Sequence, residues 1–392
     1  MIQRKVKTDI FAEAVQIADL LLKASDAYYN DAESIITDME YDQKKDYLRD
    51  LYHTQLLPKK SVNSDAVKKV EKCLNQIGAP VQASEWKKYQ HKIPMTSLNK
   101  VNSESEFSKW ESEIRDQFYV IMEKLDGISL DLEYEQGKLI RAITRGDGLE
   151  GEEITQNVRK MQNVKEKIEG FNGNLRGEIL LTSDKFNEIN NEILNEGGKE
   201  LKNLRNAASG VSKRLDSKHS EKLSVFFYDC FTDEEEFQNF SDKLSFLENH
   251  LKVKTCFWKK GIPSELVKIY NEYQKEKRVT LNHWIDGLVI ICDKIELIEK
   301  FGELGGNPKA KIAWKFPSVI VKTKVIDIRW NVGNSRRITP VAIIEPVSIC
   351  GVTITNVNIY NLSNFLKLNL YKGCEVLVKR SNDVIPVLEG LV

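Results

Sequence analysis

The sequence predicts an α+β protein: a small helical domain at the start, a mixed middle and a β-barrel at the end. Three observations carry this prediction. Apolar residues recur at helical spacing near the N-terminus, as in Ile10, Ala14, Ile17 and Leu21. From Phe118 onward the apolar runs become short, alternating and bounded by turns. After Val321 strands dominate, with one plausible helix from Leu362 to Lys367. At about 150 residues per domain, 392 residues make two or three domains.

Composition narrows the class further. The chain carries 58 basic and 58 acidic side chains and is 41% hydrophobic, which is ordinary for a globular protein and excludes disorder and fibrous folds. No run approaches the roughly 18 apolar residues of a membrane span, and Met1 to Asp9 lacks an apolar signal core. The chain is therefore expected in the cytoplasm, not secreted and not in a membrane. Its six cysteines are scattered without a C-x-x-C pair, so they read as reduced thiols and not as a zinc site. Between Pro317 and Val392 nine Lys/Arg stand against five Asp/Glu, a surplus that hints at a polyanionic partner.

The opening helix follows the capping candidates Thr8 and Asp9, and a second helix is expected from Asp38. On it Asp38, Tyr41 and Asp42 share one face, a phenol between two carboxylates. The middle strands are expected at Ile128 to Tyr134, Leu175 to Leu181, Leu223 to Tyr228 and Leu288 to Cys292, and the tail fits a small barrel of the oligonucleotide-binding kind. Linkers are expected near residues 90 to 97 and 317 to 322. His219 and His250 read as solvated, His283 as a packing residue, Asp233 to Glu236 as an exposed helix start, and Trp110, Trp258 and Trp330 as core.

Lys124-Leu-Asp-Gly127 is expected in a turn between the run Phe118 to Met122 and the strand from Ile128, where a lysine can be held at a cleft edge. Alone the tetrapeptide is weak. It gains weight from the elements that follow in order: Thr144-Arg-Gly-Asp-Gly148, Leu175-Arg-Gly-Glu178, Ile285-Asp-Gly-Leu-Val289 and Ala313-Trp-Lys-Phe-Pro317.

This ordered set resembles the covalent nucleotidyltransferases, and specifically the NAD-dependent DNA ligases. Lys124-Leu-Asp-Gly127 looks like the nucleophile motif, Arg176-Gly-Glu178 the third, Asp286-Gly-Leu-Val-Ile290 the fourth and Trp314-Lys-Phe-Pro317 the fifth. The Tyr28 to Asp42 stretch, His91 to Leu98, Arg205-Asn-Ala-Ala-Ser-Gly210 and Ile338-Thr-Pro-Val-Ala342 also match. The resemblance implies a helical domain at 1–72 that binds nicotinamide mononucleotide, a nucleotidyltransferase (adenylation) domain at 73–316 and an OB-fold at 317–392.

It also implies a reaction. Lys124 attacks the adenylyl phosphorus of NAD, nicotinamide mononucleotide leaves, and the AMP passes to the 5′ phosphate of a nick before the 3′ hydroxyl seals the strand. Lys124 must shed its proton to attack, and Lys315 is the cation that would favour this while stabilising phosphate charge, with Mg2+. Asp126 and Asp286 would lie near metal or nick, and Glu178 would accept from the ribose. Ser97, Leu98 and Arg145 would line the nucleotide pocket, and Tyr28, Tyr29, Asp38, Tyr41 and Asp42 would grip the nicotinamide half. Arg205, Lys213, Arg336, Arg337, Lys379 and Arg380 would meet nicked duplex DNA, with the protein a monomer.

Four positions depart from the family. Met122 stands where a glutamate usually faces adenine, with Glu123 displaced by one; Ile291 replaces the lysine that closes the fourth motif, and Lys294 comes three residues later. Tyr29 replaces a histidine, and Asn334 an arginine. The zinc and helix-hairpin-helix modules of the family do not follow, which leaves a truncated form or a short natural ligase. The competing readings are an ATP-dependent polynucleotide ligase or capping-type enzyme, and a catalytically weakened DNA-binding relative.

Overall fold

The computed structural model describes the chain from residue 10 except 31–35, 37, 60–63, 76–85, 199, 202, 305, 318–319, 333–337, 350–351, 360, 382–384 and 392; the side chains of 26–30, 38–39, 42, 59, 75, 332, 348, 352, 380–381 and 385 also lie outside the description. Among these residues no helix is long and apolar enough to cross a membrane.

The N-terminal part is helical: Ile10–Asn30, Asp38–Leu51 and Ser64–Asn75. The expected apolar stripe is real, with Ala14, Ala18 and Leu21 buried against Leu48, Leu56, Val67 and Val70, and Ile10 and Ile17 packed at the edge.

Gln76–Phe316 forms a compact unit of its own, built on two sheets. One runs Asn99–Val101, Lys311–Lys315, Ile285–Cys292, Tyr119–Leu125, Trp258–Gly261 in spatial order. The other runs Lys138–Thr144, Ile128–Glu135, Gly173–Leu180, Ser224–Phe231, all antiparallel. A single core fills the unit, from Tyr119, Ile121, Leu130 and Leu175 to Leu288 and Trp314. Trp314 lies stacked between Phe107 and Tyr270, at centroid distances of 4.6 and 4.0 Å, and so binds two helices to its strand.

The C-terminal part is a five-stranded antiparallel sheet in the order Val352–Asn358, Ile338–Ile349, Ile320–Val332, Glu375–Ser381, Ile385–Leu391. Irregular pairing at Val325/Asp327, Ile343/Val347 and Leu377/Val378 curls it, and its two outer strands approach each other. Val325, Ala342, Ile344, Val357, Val376 and Val378 fill its interior, and the expected helix Leu362–Lys367 is present.

Several local expectations are corrected. Residues 90–97 are no linker: Lys88–Gln90 pairs with Glu150–Glu152, and the His91 and Met95 amides donate to Leu149 and Gly148 at 2.8 Å. The partners lie more than 50 residues away, which composition does not display. Asp233 to Glu236 form no helix start; the next helix begins at Phe240, where Asn239 and Asp242 make the capping box. His219 is 4% exposed, not solvated, with Nδ1 3.3 Å from Glu192. Trp330 is 46% exposed, edge-on to Phe365, instead of core.

Candidate active site

Lys124 is the penultimate residue of the Tyr119–Leu125 strand and not part of the turn, so the strand ladder itself fixes its backbone. Its cross-strand partner is Gly287, and the partner of Gly287 on the far side is Lys315. Directly opposed residues share a face, so Lys124 and Lys315 project from the same side of the sheet with only a glycine between them. A Cβ on Gly287 would come within 2.4 Å of the Trp314 carbonyl oxygen, so only glycine lets the strands approach this closely.

Pairing is irregular between Ile285 and Gly287, and the residue left out of register is Asp286. Its carboxylate meets both lysines: Lys124 Nζ lies 2.8 Å from Oδ1, and Lys315 Nζ 3.5 Å from Oδ2. Burial would push this carboxyl up, but the charges of Lys124 and Lys315 outweigh it and hold Asp286 well below the usual carboxylate range.

Asp126 follows in the turn, 6% exposed, and takes Arg205 Nη1 at 2.6 Å from the helix Leu204–Ser212. Gly127 lets that turn pass close to the second sheet, since a Cβ there would strike the Ile179 carbonyl oxygen at 2.1 Å. On that sheet Glu178 accepts from Ser129 Oγ at 2.8 Å. Burial pushes Glu178 up to about 7, against the pull of Ser129, Arg205 and Lys124. Ser97 and Leu98 belong to the same unit: Arg145 donates to Ser97 Oγ at 2.7 Å and to the Met95 carbonyl at 3.2 Å, and Leu98 packs half-buried on the core.

The remaining expected residues fall outside this cluster or outside the description. Lys213 pairs with Glu152 at 2.7 Å. Lys379 is 4% exposed and paired with the exposed Glu389, so its charge is already matched within the sheet. Tyr41 is half-buried with Lys45 Nζ 5.9 Å over its ring, packed on the helical core. The side chains of Tyr28, Tyr29, Asp38, Asp42 and Arg380 lie outside the described residues, as do Arg336 and Arg337 altogether.

Sequence reasoning missed Ser129, although its spacing two residues after Gly127 puts it opposite Glu178 in the ladder. It also missed a buried chain in which His91 Nδ1 lies 3.4 Å from Asp131 and Asn174 donates to Asp131 at 3.1 Å. Of the departures, Met122 shares the Lys124 face and Glu123 takes the opposite one, while Ile291 faces Lys311 directly across the strands. Lys294 lies past the strand end, where its amide donates to Asp116.

One unit of the chain thus holds a lysine in ion-pair contact with a buried aspartate, a second lysine at that aspartate and a buried glutamate near them, and a curled five-stranded sheet follows in sequence. The models of two families match: the NAD-dependent DNA ligase adenylation domain over residues 83–319 and the NAD-dependent DNA ligase OB-fold domain over 322–392. The chain belongs to the NAD-dependent DNA ligase family. A DNA ligase of Sorangium cellulosum is 33% identical over 362 residues, 81% of this chain and 50% of that protein. One of Fusobacterium nucleatum is 32% identical over 384 residues, covering 95% and 54%, and one of Clostridium botulinum is 33% identical over 377 residues, covering 91% and 54%. The chain thus spans about half the length of the curated relatives it matches.

Proposed function

We propose that this chain carries out the lysine chemistry of an NAD-dependent DNA ligase, sealing 5′-phosphate/3′-hydroxyl nicks in duplex DNA. The observation that carries the reading is the Lys124–Asp286–Lys315 cluster, with Glu178 facing it. In the first step the Lys124 nitrogen, having lost a proton, forms a bond to the adenylyl phosphorus of NAD. The phosphoanhydride bond breaks and nicotinamide mononucleotide leaves with the electron pair. A 5′ phosphate oxygen then takes the AMP from the lysine, and the 3′ hydroxyl finally displaces AMP. Asp286 orients Lys124, and Lys315 neutralises charge growing on the phosphate oxygens. Glu178 accepts from a ribose hydroxyl, and Arg145 holds the Ser97 segment against the nucleotide.

Domain roles follow the same reading: 1–72 binds the nicotinamide half through Tyr28, Tyr29, Asp38, Tyr41 and Asp42, 73–316 is the adenylation domain and 317–392 binds DNA. Magnesium fits as an ion held mainly by substrate phosphates and water with one or two carboxylates, Asp126 and Asp286 being the candidates. Among the described residues no group of three or more His, Cys, Asp and Glu could cage it. Bound there, it would supply charge neutralisation at the phosphate.

Incubation with NAD or ATP labelled in the adenylyl group tests the proposal. A covalent adduct is expected from NAD and not from ATP, and Lys124→Ala should abolish it. An adduct that persists in that variant would overturn the choice of nucleophile, and a preference for ATP would overturn the role of 1–72.

A further inference from the structure

A buried carboxylate sits next to the nucleophile and points away from it. Glu123 precedes Lys124 in the strand, so strand alternation sends its side chain to the opposite face of the sheet. It is 6% exposed there, a burial that a carboxylate tolerates when its oxygens find donors. Tyr273 Oη donates to Oε1 at 2.9 Å, and His283 Nε2 is hydrogen-bonded to Oε2 at 3.1 Å. Tyr273 comes from the helix Pro263–Lys275; burial and the neighbouring Glu123 charge push its phenol well above the usual range, which keeps it a donor. His283 stands three residues before Asp286, with its ring 5.6 Å from that of Phe226, the backbone partner of Glu178. One carboxylate therefore joins the lysine strand, a helix and the entry to the strand that carries Asp286.

Regular pairing fails between Ile285 and Gly287, and across the gap run the Asp126 amide to the Trp284 carbonyl at 3.0 Å and the Phe316 amide to the Asp286 carbonyl at 3.2 Å. Neither bond involves Lys124 or its immediate neighbour Glu123. The side-chain bond from Glu123 to His283 supplies a restraint at this point, and Tyr273 holds Glu123 in the rotamer that makes it.

We propose that Glu123 is a positioning residue: through Tyr273 and His283 it pins the bulged Trp284–Gly287 segment to the lysine strand and so sets the geometry between Lys124 and Asp286. The proposal rests on the reading of Lys124 as nucleophile for its kinetic consequence, while the pin itself is a property of the fold. It also gives Glu123 a task other than contact with the base.

The test compares Glu123→Ala with Glu123→Gln, whose amide oxygen can accept from Tyr273 and whose NH2 can donate to a neutral imidazole. In single-turnover adduct formation at saturating NAD, the alanine variant should be slowed by about 10- to 100-fold, as expected for a small misplacement of a reacting group. Its half-saturating NAD concentration should stay within about threefold, and glutamine should recover most of the rate. Amide exchange read by mass spectrometry should quicken in peptides spanning 124–127 and 283–288 in Glu123→Ala but not in Glu123→Gln. If the alanine variant does not fold, Tyr273→Phe and His283→Gln carry the same comparison. An unchanged rate in folded Glu123→Ala, or a glutamine variant no better than alanine, overturns the proposal. If the unaltered protein takes no adenylyl group from NAD, that failure belongs to the proposed reaction, and exchange still decides the pin: unchanged exchange in those two peptides overturns it.

Discussion

Lys124 Nζ rests 2.8 Å from Asp286 Oδ1 and donates to Oδ2 at 2.9 Å, while Lys315 stands 3.5 Å from that same Oδ2. Two cations thus share one buried anion. On the proposed reading a carboxylate in this place aligns the nucleophile, and attack requires the ion pair to open. A nucleotide phosphate entering beside Lys315 supplies a second anion for these cations, and the pair can loosen as the phosphate arrives.

Asp286→Asn should therefore impair both stability and chemistry. It leaves Lys124 and Lys315 near each other without their counter-ion, and because both lysines are partly exposed we expect a loss of about 2 kcal/mol, below the 3–5 typical of a fully buried pair. Adduct formation should fall by about 100-fold or more. Urea unfolding and intact-mass kinetics measure the two effects. Adduct formation at the unaltered rate would show that Asp286 does not orient the lysine.

Much of this site was legible in the sequence because its members sit in short ordered motifs whose backbone roles are local: Lys124 with Gly127, Glu178 behind Arg176, Asp286 before Gly287. The strands around them were equally legible, since alternation reveals a half-buried sheet. What could not be read was any partnership across the chain. Arg145 and Arg176 hold the carbonyls of residues 93–95, which made a polar stretch look like a linker. Glu123 looked like a displaced base reader until its partners, 150 and 160 residues later, were visible. Lys379 counted as a free cation because charge alone does not reveal that Glu389 on the neighbouring strand pairs with it.

Glu178 should make stability depend on pH. Its folded value of about 7 lies above the unfolded carboxylate value, so the fold favours the protonated form. The favourable contribution is complete below the unfolded value near 4.3 and is lost as pH rises through about 7. The span corresponds to about 4 kcal/mol. Glu178→Gln should thus gain stability relative to the unaltered protein between pH 5 and pH 8, which denaturant unfolding at both values would detect. A difference that is flat across this window would refute the shift. Ribose binding by the charged form should make adduct formation rise over the same range.

Arg205 and Asp126 should behave as a coupled pair. Their 2.6 Å contact closes the turn after the nucleophile, and Asp126 is too buried to be left alone cheaply. Arg205→Ala should cost about 2–3 kcal/mol, and the double variant with Asp126→Asn less than the sum of the two singles, with a coupling of about 1–3 kcal/mol. Additive losses in a double-mutant cycle would mean that the two side chains act independently and that Arg205 is reserved for DNA.

The barrel gives the last prediction. If Arg336, Arg337, Lys379 and Arg380 all neutralised DNA phosphates, the log-log salt slope of duplex binding would be about −3.6, at −0.9 per contact. Lys379, however, is 4% exposed and paired with the exposed Glu389, and to reach a phosphate it would have to give up that pairing. The slope from this set should be nearer −2.7, the value for three contacts. Lys379→Met should leave the slope unchanged and cost little stability, because Glu389 is exposed and water can take the place of its partner. Replacing Arg336 or Arg337 by glutamine should instead flatten the slope by about 0.9 each. Titrating a labelled nicked duplex at several salt concentrations separates the two outcomes. A flatter slope in Lys379→Met would show that the lysine turns outward when DNA is present and that its pairing with Glu389 is given up on binding.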